Sequence, residues 1–135
     1  MTAPVIRGVN HIGITVPDIE AAKSFLVEAF GGQVIYQSFG PQDPARQGPE
    51  VERATGAYPG TVVRAQAMVK IGTGPDIELF EMHGPKQAQP VTPSDFGITH
   101  FGVYTDDIDA SVQRFEKAGG TSLTAPRAIP YATEK

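Results

Sequence analysis

Apolar and polar residues alternate from Val9 to Val16, which puts Ile12, Ile14 and Val16 on one face and Val9, His11, Gly13 and Thr15 on the other. That period of two predicts a strand. Pro17 and Asp18 end it and open a helix, because the Asp18 carboxylate is suited to accept from free N–H groups of a first turn. Ala22, Phe25, Leu26, Ala29 and Phe30 then recur at three- and four-residue steps as one apolar stripe, and Gly31 can take the left-handed conformation that stops a helix. Further strands are predicted over Val34–Phe39, Val62–Ile71 and Ile77–Met82. The first unit therefore reads strand, helix, then three strands. Between its second and third strands, Gly40 to Gly60 is rich in Gly, Pro and polar residues and reads as a long loop, a candidate lid. Gly84 to Gly97 contains Pro85, Pro90 and Pro93 with no apolar period and reads as a linker.

After the linker the pattern restarts. Phe101 and Val103 alternate with His100, Gly102 and Tyr104, and Asp107 opens a helix with Ile108, Ser111, Val112 and Phe115 on its apolar stripe. A short strand around Thr121 to Thr124 follows. A single shift superimposes His11 on His100, Gly13 on Gly102, Asp18 on Asp107, Ile19 on Ile108 and Ala21 on Ala110, and each copy runs on to a glycine pair, Gly31-Gly32 and Gly119-Gly120. Such a repeat means two copies of one supersecondary unit, which tend to place equivalent residues at a shared centre. Two equivalent histidines brought together point to a metal.

Strand faces sharpen this. In both first strands the bulky residues lie opposite the histidine, on the face a helix would cover, which leaves His11 and His100 on the other face. Ile77 and Leu79 fall opposite Glu78, so Glu78 joins the histidine side together with Phe80 and Met82. His11, Glu78 and His100 can then converge on a concave sheet surface. Two imidazoles and a carboxylate suit Zn²⁺, Fe²⁺, Mn²⁺, Ni²⁺ or Co²⁺ without selecting among them, and leave positions open for water or substrate. Arg64, on one face of the third strand with Gln66 and Met68, is placed to meet an anionic substrate, although a solvated arginine accounts for it more simply. Phe80, Met82, Tyr104 and Arg64 are the candidate lining of the cleft. Glu81 falls on the Leu79 face and reads as a solvated strand end, and His83 as a surface residue.

Composition narrows the partners. At 135 residues the chain fits one domain with a real core. Without cysteine it carries no disulfide framework and no thiolate metal site, so a metal must be held by His and carboxylate. A net charge of -4 with no cluster of Lys or Arg argues against a nucleic-acid or anionic-membrane surface. No apolar run is long enough to span a bilayer, and Met-Thr-Ala-Pro does not open a leader peptide, so a cytoplasmic protein with a small-molecule substrate is expected.

The stretches Val9-Asn-His11-Ile-Gly-Ile-Thr-Val, Asp76-Ile-Glu78-Leu and Thr99-His100-Phe-Gly-Val, each in place within a βαβββ unit, resemble the vicinal oxygen chelate superfamily of glyoxalases, methylmalonyl-CoA epimerases, extradiol dioxygenases and bleomycin-resistance proteins. The resemblance covers essentially the whole chain. It implies an α+β fold in which paired βαβββ modules form a curved mixed sheet with a metal cleft, as one domain over residues 1–135. Module one spans about 8–83, the linker 84–97 and module two 98–135. It also implies His11, Glu78 and His100 as ligands of a divalent metal, and a homodimer. A fourth ligand, the repeat partner of Glu78, would fall past Lys135, so module two is expected to be incomplete, either truncated or completed by a partner copy. Glu78 is the feature that separates reaction classes. Glyoxalases and epimerases use a Glu or Gln there and extradiol dioxygenases do not, so the resemblance favours a lyase, isomerase or epimerase that removes a proton next to a metal-chelated carbonyl, with Glu78 a candidate base. An Fe²⁺ extradiol-type dioxygenase and a metal-free antibiotic-binding protein are the alternatives. Arg53, Arg64 and Arg127 are too scattered to make a glutathione or CoA site.

Overall fold

The alternation over the first strand is realised as strand β1 (His11–Val16), with Ile12, Ile14 and Val16 half-buried and His11, Gly13 and Thr15 exposed. The computed structural model describes residues 5–130. After β1 come helix α1 (Ile19–Phe30), strand β2 (Gln33–Phe39), helix α2 (Pro49–Thr55), strands β3 (Val62–Lys70) and β4 (Asp76–His83), and helix α3 (Ile108–Lys117). The four strands form one mixed sheet in the order β1-β4-β3-β2, in which β1 and β4 are parallel and the other pairs antiparallel. The architecture is α+β, one βαβββ module followed by a linker and a helix.

Helix α1 starts and stops as its sequence requires. Asp18 has an extended backbone and its Oδ1 accepts from Ala21 N at 3.0 Å, while Gly31 takes the left-handed conformation at φ 66°. Gly32, next in the chain, is needed for a different reason. A Cβ there would come within 2.9 Å of the Leu26 carbonyl oxygen and 3.0 Å of Val69 Cγ1, so only glycine lets the chain pass between helix and sheet.

The core lies between α1 and one face of β3 and β4, built from Ile19, Leu26, Ala65, Ala67, Val69, Ile77 and Leu79. Ala65 and Ala67 are wholly buried, and their small side chains let the helix approach the sheet closely. Each large apolar side chain buried there stabilises the fold by about 2 kcal/mol. The stripe of α1 behaves accordingly, with Leu26 and Ala29 buried and Ala22, Phe25 and Phe30 half-buried.

Glu81 is not the solvated strand end its position suggested. Its Oε1 accepts from Ile19 N at 2.9 Å, so a carboxylate from β4 satisfies a free donor at the start of α1. His83 Nε2 lies 3.5 Å from the other carboxylate oxygen. The segment Gly40 to Gly60 also differs from a plain loop, because α2 forms within it. Pro49 in its first turn and Glu50 and Glu52 beside it suit a helix start, and Gly56 ends it at φ 73°. With Val51 as its single large aliphatic residue, α2 has no stripe by which to be recognised. Paired backbone bonds between Arg46 and Val63 (2.9 and 2.8 Å) tie the segment to β3, and the Arg46 guanidinium stacks 3.9 Å from the Phe39 ring centre.

The second unit departs most from expectation. Its helix forms, with Asp107 Oδ1 accepting from Ala110 N at 2.9 Å in repetition of Asp18. Residues 98–105 and 121–124 are not in strands. A strand exists through its ladder, and among the described residues none pairs with either segment. The stripe of α3 is partly covered rather than buried: Ser111, Val112 and Phe115 are half-buried and Ile108 is exposed. What α3 packs on is α1. Phe115 contacts Phe25 and Phe30 at centroid distances of 5.8 and 6.1 Å, and Arg114 donates to the carbonyls of Glu28 and Val27 at the end of α1. Residues 131–135 of the second unit lie outside the described residues.

Candidate functional site

The face of the sheet opposite α1 carries a polar row that crosses all four strands. His11 on β1 faces Glu78 on β4, with His11 Nε2 3.6 Å from Glu78 Oε1. Glu78 Oε2 accepts from Gln66 Nε2 on β3 at 2.9 Å, and Gln66 Oε1 accepts from the Ser38 hydroxyl on β2. Alternation puts these residues on one face, where they meet as diagonal neighbours, the ladder partners of Glu78 being Gly13 on β1 and Met68 on β3. Glu78 is half-buried and His11 is more open, with side-chain exposures of 21% and 42%. Asp76, earlier on β4, keeps a buried Oδ1 without a hydrogen-bond partner, 3.8 Å from Lys70 Nζ.

The donor pair fits a divalent cation. His11 Nδ1 is 2.8 Å from Asn10 Oδ1, an acceptor suited to a proton on Nδ1, and Nε2 is the ring nitrogen that faces Glu78. Two donors bound to one tetrahedral ion at about 2.1 Å lie about 3.4 Å apart, close to the spacing present here. Space is available as well. Gly13 is the ladder partner of Glu78, and a Cβ on it would meet no atom within 4 Å.

Of the other expected site residues, Phe80 and Met82 are half-buried on the Glu78 face of β4. Arg64 is half-buried and donates weakly to the Pro41 carbonyl at 3.5 Å, which ties it to the segment before α2. Tyr104 is 98% exposed on the unpaired segment. His100 does not join the pair: with its segment outside any ladder, it lines a cavity of about 690 Å³ walled by Ile12, Ile14, Phe25 and Phe101, next to α1. It keeps one feature of its repeat partner, a polar neighbour on Nδ1, since Thr99 Oγ1 is 3.0 Å away. Among the described residues no three His, Asp or Glu side chains form a group that could hold a metal. Ser38, Asn10 and the role of Gln66 were not foreseen. Gln66 was on the right face, and the signal was a polar side chain in the middle of an otherwise largely apolar strand.

Comparison with known proteins agrees with this architecture. The chain is 31% identical over 121 residues to a 2-epi-5-epi-valiolone epimerase of an Actinomyces species, a match covering 89% of the chain. The chain spans 63% of the length of that curated relative. Among solved structures, a glyoxalase family protein from Bacillus cereus superimposes with a TM-score of 0.65 at 23% identity, over 88% of this chain and 76% of that one. A genomically encoded fosfomycin resistance protein from Listeria monocytogenes does so with a TM-score of 0.51 at 18% identity, over 85% and 72%. These two share the fold. The family model of the glyoxalase/bleomycin resistance protein/dioxygenase superfamily matches residues 10–133, and the chain belongs to that superfamily.

Proposed function

We propose that this chain is part of a divalent-metal-dependent enzyme that epimerises or isomerises a small carbonyl compound by moving a proton at the adjacent carbon. The observation that carries the reading is the His11–Glu78 pair, an imidazole nitrogen and a carboxylate oxygen facing each other at 3.6 Å over an open face of the sheet. The name of the relative from Actinomyces favours epimerisation among proton-transfer reactions, with 2-epi-5-epi-valiolone as the compound named there. A bound divalent ion would supply Lewis-acid polarisation of the substrate carbonyl. His11 and Glu78 would hold that ion, and Asn10 would keep the imidazole in the tautomer that presents Nε2. Glu78 is also the proposed base on this chain, acting when its bond to the ion loosens, and its ladder partner Gly13 leaves the surface beside it open. His100 enters the proposal through its place in the repeat, as a ligand that joins the pair when residues 98–104 take the strand conformation of the first unit.

Metal analysis of purified protein tests the proposal, followed by solvent-deuterium exchange into 2-oxo, thioester and cyclic polyhydroxy ketone compounds. A stoichiometric divalent metal in the wild type, lost in His11→Ala and Glu78→Gln, with exchange lost in the same variants, is expected. Wild-type metal content and exchange in both variants would overturn the proposal, and consumption of O₂ with a catechol would assign the chain to oxygenase chemistry instead.

A further inference from the structure

Gln66 stands in the middle of β3, 8% exposed, between the wholly buried Ala65 and Ala67. A buried amide with an unpaired end is destabilising, and here both ends are engaged. The Ser38 hydroxyl donates to Oε1, which turns the NH₂ group toward β4, where Nε2 donates to Glu78 Oε2 at 2.9 Å. Three strands thus fix one carboxylate oxygen. The other, Oε1, is the atom that faces His11 Nε2.

We infer that Gln66 is a positioning residue that engages Oε2 of Glu78 and so commits the carboxylate to bind a divalent cation through Oε1 alone. The inference rests on the metal reading above and adds to it a mode of ligation. A carboxylate free at both oxygens can chelate an ion and occupy two coordination positions; one with an oxygen held by an amide occupies one. Gly13 leaves the surface beside that carboxylate open. Ser38 acts at one remove, since without its hydroxyl the amide of Gln66 is free to turn over and present oxygen to the carboxylate.

The test is titration of the metal-free chain with Co²⁺, whose visible absorbance is more intense at low coordination number. Gln66→Met keeps the length of the side chain and removes the donor. It is expected to weaken Co²⁺ binding by about 10- to 100-fold and to lower the intensity of the visible bands, as Glu78 turns to bind through both oxygens. Ser38→Ala, which leaves the buried strand intact, is expected to move both readings in the same direction by a smaller amount, and it decides the matter if Gln66→Met does not fold. A folded variant of either kind with the wild-type affinity and spectrum overturns the role of Gln66. A wild type that takes up no Co²⁺ overturns the metal reading and this inference with it, whereas uptake abolished by His11→Ala but unaltered by Gln66→Met overturns the inference alone.

Discussion

Gly13 is the direct ladder partner of Glu78 across the parallel β1–β4 pair, so the residue beside the carboxylate has no side chain to cover it. Glycine is not required there by backbone strain or by crowding, since its φ is ordinary and a Cβ would meet nothing within 4 Å. Gly13→Val is therefore expected to stabilise the fold by about 0.5 kcal/mol, because a β-branched residue suits a strand better than glycine. The same change is expected to reduce substrate turnover at least tenfold by filling the space next to Glu78. Thermal unfolding and a kinetic assay on one preparation check both, and loss of stability together with activity would refute the assignment of that space.

Asn10→Ala removes the acceptor on His11 Nδ1 without touching the pair itself. Divalent-metal affinity is expected to fall about 10-fold, and Asn10→Asp, which keeps the acceptor, is expected to restore it. Calorimetric titration of both variants with Zn²⁺ measures this. Wild-type affinity in Asn10→Ala would show that Asn10 serves only through its backbone carbonyl, which accepts from Asp76 N at 3.0 Å.

Glu81→Ala leaves Ile19 N, at a wholly buried residue, without its side-chain acceptor. A loss of about 1–2 kcal/mol in unfolding free energy is expected, by the reasoning that applies to helix caps and to buried unsatisfied donors. Metal affinity is expected to stay as it is, since Glu81 points to the helix side of β4 and Glu78 to the other. Urea denaturation compared with metal titration separates the two effects.

Phe115→Ala removes contacts with Phe25 and Phe30. At a half-buried position this is expected to cost about 2 kcal/mol. Hydrogen exchange localises it: amides of α3 should exchange faster while those of β3 and β4 keep their protection. Uniform acceleration would mean that α3 and the sheet unfold as one.

Asp95 in the linker provides a pH test. Its Oδ2 accepts from Thr92 N at 2.7 Å and from Thr92 Oγ1 at 3.0 Å, and these bonds hold the carboxyl below its ordinary pKa, the backbone bond contributing most. A depressed carboxyl stabilises its turn above the unfolded pKa, and that contribution is lost as pH falls through the folded value. Side-chain NMR should show Asp95 titrating below the ordinary aspartate range, and Thr92→Val should raise it only part of the way, because the backbone bond remains.

The first unit was legible because each of its elements carries a local instruction. Alternation marks β1, Asp18 and Gly31 bracket α1, and the opposition of Glu78 to Ile77 and Leu79 shows which side of the sheet it takes. The pairing of His11 with Glu78 followed from those faces. What was not legible is long-range. Glu81 reaches a helix start 62 positions away in sequence, and the Ser38–Gln66 bond joins strands whose register depends on bulges in the β2–β3 ladder. Residues 98–104 show the converse: the alternating pattern around His100 is that of a strand, yet a pattern specifies a face and not a partner, and without a ladder the segment lies beside α1. His100 is consequently the expected site residue whose position could not be read from its own neighbourhood.

Helix α1 is bolted at both ends by groups of opposite sign, a β4 carboxylate at its start and an α3 guanidinium at its finish. Each charge complements the end of the helix dipole it touches. Sliding the helix along its own axis would break both bolts together, so its lengthwise placement over Ala65 and Ala67 is indexed rather than merely packed. The two anchors also belong to different units, and any force that pulls the second unit away is delivered to the rod lying on the back of the sheet whose front carries His11 and Glu78.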